Sequence, residues 1–397
     1  MYARERYGII LALVMLLMTG CSAEDAVMET MTAPEDGVAI SFCCNYYDET
    51  PITKAGYEGT MNTEDLRTTG FGAMASVTAG APPTYDNVPN LMYNQEVEYT
   101  LVGDLIDPKK GIWSYSPTKY WPNNLEHCYI SAYAPYVNLP IADPETTTGI
   151  YGISANNVAP YIDYRRCEKP GKQVDLLWYY EEPSAIPAAT ALNEAGTLAM
   201  KMRHALARLD IKVALAANPG TTKVLIEEII LTGKMAKTGR LSLCSQTTEG
   251  SGVDTKYYPV WTNQVFDKNG SDEDIDHTFK IKNADNDPES YGIIESQVRY
   301  IPNLPYGWQP AGLSTTPQDA LNTGDRKGYV YLIPQDELAL TITVKYKKWV
   351  EGADEPTSGA KTTTASTLRI PQPTLEEPNP KLLGNKTYTL NLTLSGI

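Results

Sequence analysis

Strict alternation of apolar and polar side chains, at three separate places, constrains this 397-residue chain more than any other feature. Val38, Ile40 and Phe42 point one way while Ala39, Ser41 and Cys43 point the other. Leu340, Ile342, Val344 and Tyr346 oppose Thr341, Thr343, Lys345 and Lys347. Near the C-terminus, Tyr388, Leu390, Leu392 and Leu394 oppose Thr387, Thr389, Asn391 and Thr393. A period of two puts successive side chains on opposite faces, so each run reads as a strand with one buried and one wet face.

Further strands are expected at 72–78, 97–101, 129–133, 174–179, 207–215, 224–232 and 328–333, in runs rich in Thr, Val, Ile and Tyr between Gly, Pro, Asn and Asp. Tyr is abundant, at 27 residues against 4 Phe, which suits half-buried sheet surfaces. Sustained helical periodicity is missing. Residues 62–66 read as one helical turn with Thr63 as its cap, and 198–209 reads as strand running unbroken into 210–215. The fold class is therefore all-β. The Pro-, Ala- and Ser-rich stretch 181–196 marks a boundary between two β-sandwich domains, at 36–195 and 196–397.

The first twenty residues read as a secretory leader: Arg4 and Arg6 precede a short apolar run from Ile9, which ends in Met18-Thr19-Gly20-Cys21. Small residues before a cysteine resemble a lipobox, which makes Cys21 the expected lipidation site and new N-terminus, anchored to a membrane without spanning it. Residues 21–35 then form a flexible tether, and Ser22-Ala23-Glu24-Asp25 resembles a surface-export signal.

Composition excludes several classes of function. A formal net charge of −15, with no Lys/Arg cluster, argues against nucleic-acid binding. The remaining cysteines, Cys43, Cys44, Cys128, Cys167 and Cys244, are odd in number and lack C-x-x-C spacing, so a small disulfide scaffold is excluded and buried free thiols are expected. His127, His204 and His277 stand in no metal-ligand pattern, and no nucleophile elbow or phosphate loop is present, so neither a cofactor nor an enzyme is expected. The stretch 267–276 is similar to a calcium loop but carries Asp272 at the sharp-turn position and Thr278 at the closing one, and reads as a solvated acidic loop.

The stretch 113–122 concentrates two Trp, two Tyr and two Pro without a base, nucleophile or ligand set, which points to packing and recognition. Its Trp113, Tyr115, Tyr120 and Trp121 could also offer ring faces to a sugar. Together with Thr53-Lys54-Ala55-Gly56, the run from Leu66 to Gly72, Ala132-Tyr133-Ala134-Pro135, Val174-Asp175-Leu176-Leu177, His204-Ala205-Leu206-Ala207-Arg208, Leu231-Thr232-Gly233, Leu332-Ile333-Pro334-Gln335 and Asn385-Lys386-Thr387-Tyr388, it resembles the fimbrillin-like family, in order and over almost the whole mature chain. Ala73-Met74-Ala75-Ser76 and Ile130-Ser131 depart from the family's aromatic pattern.

The resemblance implies two transthyretin-like, Greek-key β-sandwich domains in a subunit or tip adhesin of type V pili. Such subunits are exported as outer-membrane lipoproteins and polymerise with other pilin subunits, identical or different, at the cell surface. It also implies a plug strand, released by cleavage after Arg or Lys and replaced by a neighbour's strand. Here the plug is expected at Val38, Ile40 and Phe42, the cut at Arg67 or, second, Lys54, and the donor at Tyr388, Leu390, Leu392 and Leu394. The alternative is a surface lipoprotein that does not polymerise and binds glycan through the aromatic platform. A host or bacterial surface glycan or protein is the further partner class in either case.

Overall fold

The computed structural model describes residues 38–46, 61–79, 88–103, 111–121, 126–169, 172–180, 197–218, 220, 222–251, 255–269, 271, 273–282, 314–319, 330–350, 361–371, 374 and 380–395. Its first half holds β1 (Ser41–Tyr46), α1 (Thr63–Thr69), β2 (Phe71–Ala79), β3 (Met92–Leu101), β4 (Gly111–Ser114), β5 (Glu126–Ala134), β6 (Gly149–Ile153), β7 (Tyr161–Arg165), β8 (Leu177–Tyr180) and β9 (Thr197–His204). The second half holds β10 (Ala207–Leu215), β11 (Thr222–Gly233), β12 (Thr238–Glu249), β13 (Lys256–Val265), β14 (His277–Lys282), β15 (Gln318–Asp319), β16 (Val330–Leu332), β17 (Ala339–Val350), β18 (Lys361–Arg369) and β19 (Lys386–Leu394). The protein is all-β, with a single short helix among the described residues.

Four sheets carry these strands. A seven-stranded sheet runs β1-β9-β8-β5-β2-β3-β4, and a second is built on β10, with β15 and β16 on one side and β19 on the other. The third runs β14-β11-β17-β18 and the fourth β13-β12-β7-β6. That fourth sheet draws two strands from before residue 195 and two from after it. Three cores result: one within the seven-stranded sheet around Phe71, Leu66 and Met200, one between the β10 and β11 sheets around Ile211, Leu231 and Leu340, and one around Tyr133, Trp178 and Leu241.

Local chemistry explains where the elements start and stop. Helix α1 begins one residue earlier than Thr63 suggests, because Asn62 is the cap. Its side chain accepts from the backbone N–H of Glu64 (2.8 Å) and Asp65 (3.1 Å), while the Asp65 carboxylate accepts from Asn62 N–H (3.0 Å). Gly70, at φ +64°, ends the helix in a conformation that a side chain would resist. The expected single strand through 198–215 is corrected to two. Ala205 and Leu206, both buried, break it and carry the chain from the seven-stranded sheet into the β10 sheet. Hydrophobic pattern alone does not register that turn, because both residues stay apolar and inside.

Close approach fixes one glycine. A Cβ on Gly72 would overlap the Tyr133 ring, which is fully buried and donates its hydroxyl proton to Asn94 Oδ1. Gly72→Ala is therefore expected to destabilise the fold by about 1–3 kcal/mol, read as a lowered denaturation midpoint with unchanged slope.

Candidate functional site at the two terminal strands

All the pairings between named strands are antiparallel except two, and these two involve the first and last strands. β1 lies parallel to β9, from Ser41 opposite Thr197 to Tyr46 opposite Met202. β19 lies parallel to β10, from Lys386 opposite Ala207 to Leu394 opposite Leu215. Parallel partners need no hairpin between them, so either terminal strand can leave its neighbour without unravelling a turn.

The segment containing β1 is held from both sides. Beyond β9, the chain just after β4 reaches it: Ala39 forms an antiparallel bridge with Tyr120, Ile40 N–H donates to Lys119 O (2.8 Å), and Trp121 N–H donates to Val38 O (2.9 Å). The Tyr115 hydroxyl adds a bond to Ile40 O (2.8 Å), and Ser41 Oγ shares a proton with Thr197 Oγ1 (2.7 Å). The aromatic-rich stretch is thus a clasp over the first strand, and the seven-stranded sheet is drawn closed through it.

Burial follows the alternation with one correction. Ile40 (2% exposed) and Phe42 (5%) face the core, whereas Val38 (51%) stands at the open end and buries little. Cys44 (3%) takes the third inward place. Sequence reading passed over it, although two more residues of the same period lead there. Phe42 meets Phe71 edge-on at 5.6 Å and Tyr115 at 5.5 Å between ring centroids. Burying Ile40 and Phe42 contributes about 1.5–3 kcal/mol each. Burial, with Cys43 alongside, pushes the Cys44 thiol well above its ordinary range. All five described cysteines are free, and Cys43 is exposed, against the expectation of buried thiols.

The four residues expected as a sugar platform divide. Trp113, Tyr115 and Trp121 pack against the first core, with Trp113 at 5.1 Å from both Phe71 and Tyr99, while Tyr120 forms the bridge to Ala39. Arg67 lies in the last turn of α1 with its guanidinium 4.7 Å above the Tyr99 ring. Met61 and Leu66, on the same segment, are fully buried. Met61 N–H donates to Asp175 Oδ2 (3.0 Å), and the buried Asp175 also meets His204 Nδ1 (2.6 Å), so His204 has a structural partner. Lys54 and Cys21 lie outside the described residues.

β19 realises its alternation. Leu390, Leu392 and Leu394 are buried, Tyr388 is half-buried, and Thr387, Thr389, Asn391 and Thr393 are exposed. Elsewhere, no group of three His, Cys, Asp or Glu side chains suited to a metal occurs among the described residues. Asp267 is engaged by His277 (2.7 Å) and Lys237 (3.1 Å), and Asn269 Oδ1 accepts from Ser271 and Glu273 N–H, so these oxygens of the acidic loop bond within the protein.

Two measurements check the hold on β1. A thiol reagent is expected to label Cys43 in the intact chain and to reach Cys44 only when β1 is displaced. Phe42→Ala is expected to cost about 3–5 kcal/mol in denaturant unfolding.

Comparison with known proteins agrees with this architecture. The Fimbrillin-like family model matches residues 53–396. The fimbrium subunit Fim1C of Phocaeicola vulgatus is 26% identical over 229 residues, 56% of this chain and 55% of that protein, so the match spans about half the length of the curated relative. A crystal structure of a fimbrial protein from Bacteroides vulgatus superposes with a TM-score of 0.52 at 19% identity, over 90% of this chain and 95% of that one, a likeness of fold. With the family model covering most of its length, the chain belongs to the fimbrillin-like family.

Proposed function

We propose that this protein is a subunit or tip adhesin of a cell-surface fimbrium, exported as a lipoprotein acylated at Cys21 and assembled by protease-triggered exchange of β-strands between subunits. The observation that carries the reading is the state of the first strand: β1 is buried on one face and paired with β9 along one edge, and the residues just before it, Val38 to Ile40, are bonded to the chain at 119–121. Its removal would leave the edge of β9 and the backbone groups of Lys119 and Trp121 unpaired, and an apolar slot in the first core. Such a slot binds any strand of matching pattern, which is how sheets recognise extended partners and why an empty one aggregates. The partners are other pilin subunits, identical or different, the outer membrane through the lipid, and a surface glycan or protein at the receptor end. The fimbrial character of its relatives supports a structural rather than a catalytic role.

In this reading the chain forms two transthyretin-like sandwich domains, at 36–195 and 196–397, and β9 and β10, both after residue 195, pair with the first and last strands. The separate cores around Phe71 and around Leu231 support two domains, with Met200 and Met202 of β9 packed in the first core, and the fourth sheet draws strands from both halves.

The two candidate cuts have different consequences. Cleavage after Arg67 would carry off Met61 and Leu66 with the plug, and each such loss from a core costs about 2–5 kcal/mol. It would also require α1 to unwind first, since a protease takes its substrate extended. The burial of Met61 and Leu66 supports Lys54 as the cut that frees β1 and keeps the helix.

Treatment of the full chain with a protease that cuts after Lys and Arg, followed by N-terminal sequencing and electron microscopy, tests the proposal. Fibres are expected, built of subunits that have lost β1. Lys54→Gln is expected to block them and Arg67→Gln to leave them unchanged. Subunits that lose β1 and stay monomeric, or fibres that retain it, would sink the reading.

A further inference from the structure

We propose that Arg166, Asp267 and His277 form an acid-sensitive joint between the third and fourth sheets, closed while the His277 imidazole is neutral and released when it takes a proton. The joint lies away from the terminal strands and stands whether or not subunits exchange them.

Its place is where the chain crosses between the two sheets. Lys237 closes the connection from β11 to β12, Asp267 lies just after β13, His277 opens β14, and Arg166 follows β7 directly. Arg166 ties these together. Its N–H donates to Lys237 O (2.9 Å), its Nε donates to Ala236 O (3.1 Å), and its guanidinium lies 4.4 Å from the centroid of the Phe279 ring in β14. Lys237 N–H in turn donates to Val265 O (2.7 Å), at the end of β13.

The hydrogen bonds decide where the protons sit. His277 Nδ1 is 2.7 Å from Asp267 Oδ2, and Lys237 Nζ is 3.1 Å from the other oxygen of that carboxylate. Nδ1 therefore carries the hydrogen, and the neutral ring keeps its lone pair at Nε2. That nitrogen is buried and makes no hydrogen bond to the described residues, and the same holds for Arg166 Nη1 and Nη2. The imidazole also packs edge-on against Phe279, at 5.1 Å, the ring that carries the guanidinium. A proton on Nε2 would put a second buried cation beside Arg166.

Charge around the imidazole balances only while it is neutral. Arg166 and Glu168 act on it from the end of β7 and Asp267 from the end of β13, and Lys237 engages Asp267 from between β11 and β12. β11 places Gly233 opposite His277 and brings no charge, while Asp276 and Lys280, on either side of it in the chain, are exposed. Burial, then the Arg166 charge, hold the His277 pKa below its ordinary value against the pull of Asp267 and Glu168. Burial lowers Arg166 only to about 10, so it stays a cation throughout the acid range. Burial raises the Asp267 carboxyl, but the bonds and charges of Lys237 and His277 more than offset this and leave it below the usual carboxylate range.

The folded imidazole thus binds its proton more weakly than the unfolded one, whose pKa is about 6.5. The joint is firm above that pH and weakens as the pH falls below it, by at most about tenfold per pH unit for one proton. Asp267 loses its charge only in a lower window, below about pH 4.

Thiol labelling of the intact chain tests this. Cys167 is buried and follows Arg166, whereas Cys44 is buried in the first core and reports general unfolding. Dithiodipyridine, which reacts with thiols in acid, is applied at a series of pH values, and each rate is divided by that of the denatured chain. Cys167 is expected to gain reactivity from about pH 6.5 to about pH 4.5, by up to about tenfold per unit, with Cys44 still protected. His277→Asn sets an amide N–H where Nδ1 stands, keeps the bond to Asp267 and cannot titrate, so the gain is expected to vanish. A gain that survives this substitution, a Cys167 closed at about pH 4.5, or Cys44 opening in step with Cys167 would overturn the joint. Nuclear magnetic resonance of the nitrogen-labelled wild-type imidazole gives a reading free of any variant. The Nδ1–H tautomer and a midpoint below about 6.5 are expected, and a midpoint at or above that value would also overturn it.

Discussion

Backbone bonding of the segment 38–46, to the chain at 119–121 by its first residues and to β9 by the rest, is the constraint on which the rest of this structure depends. A strand at the end of a chain is normally an edge, with one row of N–H and C=O groups facing water. Here β9 takes one row, while Lys119 and Trp121 take groups of Val38 and Ile40 on the other. Both sets of bonds hold the segment against the first core, where Phe42 and Cys44 are buried. The aromatic clasp has the same origin. Tyr115 is close enough to bond Ile40 O because Trp113 is wedged between Phe71 and Tyr99, which sets the path of the chain before it turns back.

The two terminal slots are built on one continuous piece of chain. β9 and β10 are separated only by Ala205 and Leu206, and this bend is heavily used. Ala205 N–H donates to Leu176 O (2.7 Å), Trp261 Nε1 donates to Ala205 O (2.9 Å), and Asn385 N–H donates to Leu206 O (3.1 Å). Gly384 lies so close to Ala205 O that a Cβ would collide with it. The root of β19 is thus pinned to the corner where the two sheets meet, and Asn385, at φ +55°, turns the chain into the strand. Pinned at its root, β19 runs from this corner parallel to β10 and, among the described strands, pairs with β10 alone.

Legibility of the fold from sequence follows how local each signal is. The alternation at 340–347 and 387–394 comes through in β17 and β19 because one face of each is buried and the other wet, so the period appears directly in residue type. β10 matches its expected limits for the same reason. By contrast β4, β6 and β7 are four or five residues long and mix Gly, Tyr, Asp and Arg, and their outward faces carry stacked pairs such as Arg165 on Tyr151 and Arg240 on Tyr161. Their strand character comes from cross-strand contacts, which a local window does not contain.

By itself the sequence determined the all-β class, the inward faces of the first and last strands, the absence of recognisable catalytic motifs and, through ordered motifs, the family. These are properties of residue type at short spacing. Tertiary structure alone decided that Ala205 and Leu206 divide one apparent strand between two sheets, that Asn62 rather than Thr63 caps the helix, and that Val38 stands outside the core while Cys44 stands within it. It also decided that the aromatic stretch closes over β1, a contact between residues some eighty positions apart. No local pattern encodes such a meeting, because it depends on how seven strands bring two distant edges together.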